Sequence, residues 1–420
     1  MENQNLTDRE EQKRNLRKGM LVNEEEQTED SEERFLNRDF EKEIRAYKRK
    51  RRLIILAVVL VLVIVAAVWY FIDRSRTYRS MTVSWSQTVE VSSFEGAVGF
   101  VDGLLVYGRN SASYVAQDGT VMWTESYEMS NPAAVICGEY AAICDQGGID
   151  LIICNAGGKQ GQIQTSSPIM RMALAGQGMA VVIQEDTRAE YVSFYDHTGK
   201  KLDIEIKTRL QGDGYPLDLA VSQSGEQLMV SYVYVENATL KNKVVFYNFD
   251  VGQDMVDRIV GGFEQYEDTM VPRVTYLNET QAVAFGDKLL TFYSLKNQLK
   301  PKTVQEYTVE DEITKVFYGD DQVGVVTVPK EKGAAAHLTV YNSAGEVQRE
   351  IDFSEDFSKI EFVGNEILVY NEKGFRIYNA DGSLKYQEDT GYDLSAVVPG
   401  TDKKTYYLIG NGMLQKAVMH

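Results

Sequence analysis

The sequence predicts an all-β ectodomain, an eight-bladed β-propeller, behind one N-terminal transmembrane helix. Three observations carry this. A single run of 20 apolar residues, Leu53 to Ile72, holds no charge, glycine or proline. Beyond it, short apolar runs alternate with Gly, Asn and Asp, and the chain has 33 glycines, 25 tyrosines and only 7 prolines. One turn phrase then recurs at a spacing of about 40 residues, the length of a four-stranded blade.

Composition narrows the function classes. The 420 residues give a formal net charge of −18, from 62 acidic against 44 basic side chains. General nucleic-acid binding is excluded on that ground, because neutralising phosphates needs a basic face. The cysteines are Cys137, Cys144 and Cys154, too few for a disulfide framework. Only three histidines, at 197, 337 and 420, are available to a metal site.

Residues 1–52 carry 14 acidic and 14 basic side chains, so the whole −18 belongs to the chain beyond the apolar run. Residues 1–29 hold few apolar side chains and read as a disordered cytoplasmic tail. Residues 30–52 read as a charged juxtamembrane helix. Asp30 and Glu33 fit a capping box, and Leu36, Phe40, Ile44 and Tyr47 share one helical face. That face suits lipid or a partner, or simply continues the membrane helix.

The run from Leu53 to Ile72 would span roughly 30 Å as a helix, the thickness of a bilayer core. It has no polar face, as a soluble helix would. Trp69, Tyr70 and Phe71 stand where an aromatic belt belongs. No small-residue cleavage pattern follows, so the segment reads as a retained anchor. Arg45, Lys48, Arg49, Lys50, Arg51 and Arg52 precede it, against Arg74, Arg76 and Arg79 after it. The excess places the N-terminus in the cytoplasm and the C-terminal part outside. Lys48 to Arg52 should attract anionic lipid headgroups, at ~1 kcal/mol per basic residue. Residues 73–81 are a linker to a propeller over 82–420.

The turn phrase is an aromatic or aliphatic residue, Asn or Asp, two variable residues and Gly. It stands as Tyr195 to Gly199, Tyr341 to Gly345 and Tyr378 to Gly382, with Cys154 to Gly158 as a fourth copy. Tyr247 to Gly252 is looser, and Gln117 to Gly119 and Tyr293-Ser294 are weaker. Asn and Asp bond their own backbone, and Gly supplies a positive φ. Grouping strands by fours gives units over 97–125, 133–165, 170–207, 217–261, 273–307, 314–351 and 358–388. An eighth, over 393–418, has three strands. Thr82 to Val91 alternates well, belongs to no other unit, and would close the ring against the last strand, hiding both edges. Seven blades is the alternative count, since one wrongly divided unit changes it. Pro132, Pro168, Pro216 and Pro272 stand at the starts of first strands, where a ladder N–H is dispensable.

These phrases resemble the quinoprotein-type and WD-type propeller repeat, in which a tryptophan after the Asp-Gly turn docks on the next blade. Val115 to Trp123 is the fullest match, and the resemblance makes Trp123 the docking residue. Asp203, Arg349 and Tyr386 stand near that position in other units. In layout the chain is similar to an uncharacterised family of Gram-positive single-pass membrane proteins with a propeller ectodomain.

No catalytic constellation stands out. The cofactor-stacking tryptophans of quinone enzymes are missing, and no cofactor is expected. Cys137 and Cys144 face each other across a short turn and could form a disulfide; three small buried strand residues is the plainer reading. Their spacing fits no zinc pattern. His197 lies in a turn phrase and His337 starts a strand, both read as structural. Neither a nucleophile elbow nor a P-loop is present. The remaining binding candidates are acidic loops at strand ends, Asp145, Asp213, Asp218, Asp287, Asp320 and Asp321. Such carboxylates could hold Ca²⁺ or pair for glycoside hydrolysis, and a solvated acidic surface is the default. The expected function is a membrane-anchored module that binds a protein or cell-wall ligand at the propeller. The alternatives are an extracellular glycan hydrolase or lyase and a transmembrane sensor.

Overall fold

The computed structural model describes residues 10–18, 46–66, 68, 77–89, 93–250, 258–266, 269–330, 335–353 and 357–420. Two compact units divide the chain, residues 1–75 and 76–420.

In the first unit, residues 10–18 are helical and exposed, within the tail expected to be disordered. Residues 46–66 are a second helix, whose apolar side chains from Leu53 to Val65 are exposed. Tyr47 is on this helix; Asp30, Glu33, Leu36, Phe40 and Ile44 lie outside the described residues, as do Trp69, Tyr70 and Phe71. Among the described residues no helix is long and apolar enough to cross a membrane. The described apolar part of the expected span is 53–66 and residue 68, shorter than the 20 residues of the sequence run.

The second unit is an eight-bladed propeller. Among the described residues thirty-two strands form eight four-stranded sheets, each antiparallel throughout. Blades one to seven cover 94–126, 132–164, 169–208, 215–263, 273–308, 312–353 and 359–389. Blade eight takes its three inner strands from 394–419 and its outermost strand from Met81–Thr88. The closing pair runs from Met81 opposite Met419 to Thr88 opposite Met413. The ring closes as the alternation of Thr82 to Val91 predicts, and eight is the count. The prolines fall as expected, with Pro132 opening one first strand, Pro216 second in another, and Pro168 and Pro272 just before two more.

Alternation holds best on the outermost strands. Lys201–Thr208 alternates exposed and half-buried residues, because one edge of that strand meets water. The second and third strands are buried on both faces, as in Ala180–Glu185 and Ser111–Val115. Each blade is sandwiched between two neighbours, so both faces of its middle strands need apolar side chains. The core is correspondingly divided into eight clusters, one per seam. Phe100, Leu105 and Tyr114 of blade one meet Ala141 and Ile143 of blade two. Leu368 and Phe375 of blade seven meet Tyr406 and Leu408 of blade eight. Each leucine, isoleucine or phenylalanine among these, fully buried, contributes about 1.5–3 kcal/mol.

The turn phrase joins the third and fourth strands of a blade. In Tyr195 to Gly199, Asp196 Oδ1 accepts from the N–H groups of Thr198 (2.9 Å) and Lys200 (3.1 Å). Gly199 then takes φ 87°, which a Cβ would resist. Asn342 does the same with Ala344 and Glu346. In the looser copy, Asn248 accepts from the Asp250 N–H at 3.0 Å, and its glycine at 252 lies outside the described residues.

Candidate functional site

First strands of neighbouring blades meet one another, as those of blades two and three, three and four, and four and five do, and so lie innermost. Those of blades two to five, with the end of the blade-six strand, line a cavity of about 970 Å³ on the ring axis. Much of its wall is backbone and small or apolar side chains, such as Ala133, Ala173, Leu219 and Leu277. Arg171, Asp218 and Arg273 converge on that wall, one from each of blades three, four and five.

Local backbone geometry presents the first two. The pairing register slips between Ile169 and Arg171, and again between Pro216 and Asp218. A bulge of this kind re-aims the following side chain. Asp218 is buried, with 6% of its surface exposed. Its Oδ2 accepts the Val274 N–H at 2.9 Å, a bond between blades four and five. Arg171 Nε stands 3.7 Å from Asp218 Oδ1, and Arg273 Nε 3.7 Å from Oδ2. Burial pushes the Asp218 carboxyl up to about 6, against the pull of the Val274 N–H and the two guanidiniums.

Of the six acidic candidates, Asp218 and Asp320 line this cavity. Asp145 and Asp287 have backbone roles, accepting the N–H groups of Asn131 (2.7 Å) and Met270 (2.9 Å) to fix the loops that enter first strands. Asp213 borders a separate cavity of about 260 Å³ beside Tyr232 and Lys243. Asp321 is exposed in a turn of blade six. Sequence reasoning named Asp218 and missed both arginines, which are 47 residues before it and 55 after it in the chain.

Among the described residues no group of three His, Cys, Asp or Glu side chains could hold a metal ion. The cysteines are free. Cys144 pairs in register with Ala133, and Cys137 with Tyr140. The register therefore separates the two thiols that a disulfide would need. Cys144 packs in the seam with blade three and Cys154 in the seam with blade one. His197 packs beside the Tyr140 ring, 5.8 Å between centroids. His337 Nδ1 lies 2.8 Å from Asp352 Oδ1.

In fold the chain is similar to BamB from Moraxella catarrhalis, at 14% identity and a TM-score of 0.52, over 81% of this chain and 100% of that one. It is similar to the computationally designed protein Ika8, at 11% identity and a TM-score of 0.53, over 80% and 100%. A structure titled as the eukaryotic initiation factor matches at 12% identity and a TM-score of 0.51, over 79% and 88%. At these identities the likeness establishes the propeller fold alone. No curated protein matches in sequence. The model of a family described as a family of unknown function, DUF5711, matches residues 74–419.

Proposed function

The chain belongs to the DUF5711 family, and from that premise we propose that it is a single-pass, membrane-anchored binding or scaffold module. Its propeller would lie outside the cytoplasm and take a protein or cell-envelope ligand into the axial cavity. The observation that carries this reading is the cavity itself. It is large, it lies on the axis of a closed ring, and charged and polar side chains converge on it among backbone and small apolar groups.

The anchor is supported by the run from Leu53 to Ile72 and by the helix over 46–66, which carries the basic collar Lys48 to Arg52 into that run. The collar against Arg74, Arg76 and Arg79 supports a cytoplasmic N-terminus. The catalytic alternative needs two carboxylates converging on a substrate. The cavity carboxylates are Asp218 and Asp320, and Asp218 is engaged by two arginines and a backbone N–H. That arrangement favours binding.

The test uses the full chain, immobilised and offered fractionated cell envelope. Gln223 and Asn278 line the cavity, so Gln223→Trp and Asn278→Trp obstruct it. The reading expects an envelope component retained by the parent chain and lost from both variants. Equal retention by parent and obstructed chains would remove the cavity from the function, and retention of nothing by the parent chain would remove the binding role.

A further inference from the structure

We propose that Arg171 and Arg273 form an oxyanion-binding site in the axial cavity, on either side of Asp218. The ligand group is a carboxylate or a phosphate. This deepens the reading of the cavity as the binding site and rests on it.

Three features argue for a site beyond a structural ion-pair cluster. First, the Asp218 contacts leave the guanidinium donors unspent. Both Nε–oxygen distances are 3.7 Å, beyond a hydrogen bond. The hydrogen bond that Asp218 accepts from this wall comes from the Val274 N–H. Arg171 commits Nη1 to the Met170 carbonyl at 2.9 Å. Each fork still has N–H groups for a ligand, and a guanidinium fork matches carboxylate or phosphate geometry.

Second, the two guanidiniums are held and yet open. Their side chains are 46% and 54% exposed, while the carboxylate between them is 9% exposed. A buried charge thus stands between two half-exposed opposite charges, all three on the cavity lining. Both approach the two oxygens of one carboxylate, so a single anion can bridge them.

Third, the charge balance is local and unusual. Two arginines flank one aspartate on this part of the wall, inside a chain of net charge −18. Asp320, from blade six, is the other carboxylate of the lining. The field of the whole chain repels anions, so saturable anion binding here would report specific donors. The polar residues Gln146, Gln223 and Asn278 are also in the lining and suit the rest of an oxygen-rich ligand.

The experiment titrates the full chain with inorganic phosphate and, separately, with acetate, following the melting of the propeller and the amide or guanidinium signals in NMR. Saturable binding is expected for one or both. Phosphate alone identifies a phosphate site, acetate alone a carboxylate site, and both a general oxyanion site. Arg171→Gln with Arg273→Gln should weaken binding about tenfold or more. Asp218→Asn keeps the acceptor for Val274 and removes the competing charge, so it should tighten binding. A purely structural role of the cluster predicts stability changed and anion affinity unmoved by these substitutions. The basic collar at Lys48 to Arg52 is the other place an anion could settle, and the arginine variants separate the two. Binding that survives the double substitution in a chain of unchanged circular dichroism overturns the proposal, as does saturation by neither anion. If these fail while the obstructed variants still lose an envelope component, the binding role stands and the anionic character of its ligand falls.

Discussion

Trp123 on the outermost strand of blade one donates its Nε1–H to the carbonyl oxygen of Asn155 in blade two, at 3.1 Å. Trp85 on the closing strand does the same to Gln117 of blade one, also at 3.1 Å. In both cases a tryptophan docks on the turn phrase of the next blade, 32 residues further on. The seams without a tryptophan solve the same problem differently. Tyr307 donates to Gly345 across the seam of blades five and six, at 2.6 Å. Arg349 donates to the carbonyl of Ala380, and to that of Asn365 at 3.2 Å, across the next. Between blades two and three, Gly161 lets the strand sit against the turn itself; a Cβ there would come within 2.6 Å of the Gly199 nitrogen.

Docking makes Trp123 a stability residue. Trp123→Phe keeps a ring in the seam and loses the donor, and should cost about 1 kcal/mol. Trp123→Ala also removes the half-buried ring from the seam and should cost more, about 2–3 kcal/mol. Equilibrium denaturation measures both. Equal costs for the two variants would show that the hydrogen bond is irrelevant.

Lys385 is 96% buried, with its Nζ 2.7 and 2.8 Å from the Glu366 carboxylate and 3.0 Å from the Lys403 carbonyl. Lys385→Met strands a buried carboxylate and should destabilise the propeller by about 3–5 kcal/mol. Adding Glu366→Leu removes the stranded charge and should recover most of that loss. A double variant as unstable as the single one would contradict the pairing.

A buried carboxylate, Asp218, and a half-buried one, Glu361, set a pH dependence. Burial pushes Glu361 up to about 7 from 4.5 and Asp218 up to about 6 from 3.8. In both, the folded protein holds the proton more tightly than the unfolded chain does. Their contribution to stability is therefore full below about pH 4 and is lost as pH rises through 6 to 7. Each should account for on the order of 2 kcal/mol of that decline. Denaturation between pH 4 and 8 should show Glu361→Gln flattening the upper part of the slope and Asp218→Asn the lower part. Unchanged slopes in both would refute the assignment.

Thiol labelling should be selective. Burial pushes Cys144 and Cys154 up to about 12. Cys137 is less buried and borders the axial cavity. One thiol per folded chain should react with a thiolate-directed reagent, and Cys137→Ser should abolish it. Two or three fast thiols would indicate open seams around blade two.

Most of the fold is written locally. Asp196 and Gly199 make their turn from bonds four residues long or shorter, so the phrase is legible wherever it occurs. The closing strand was legible because Thr82 to Val91 alternates and has no partner nearby in sequence. The site was far less legible. Arg171 and Arg273 look like ordinary charged residues at strand starts, and no local spacing marks them. Arg349 stands near the docking position in the sequence, but no local spacing shows that it donates across the seam, since its acceptor is 31 residues away.

The eight sheets of the structure settled the count between eight and seven, and the sequence alone determined the apolar run with its basic collar, the period and the strand that closes the ring. These depend on turn chemistry and alternation, which act over a few residues. Only the tertiary structure decided which charges meet. Closing the ring brings three first strands side by side around the axis. A buried Asp218 then stands between two arginines that the chain keeps about fifty residues apart on either side.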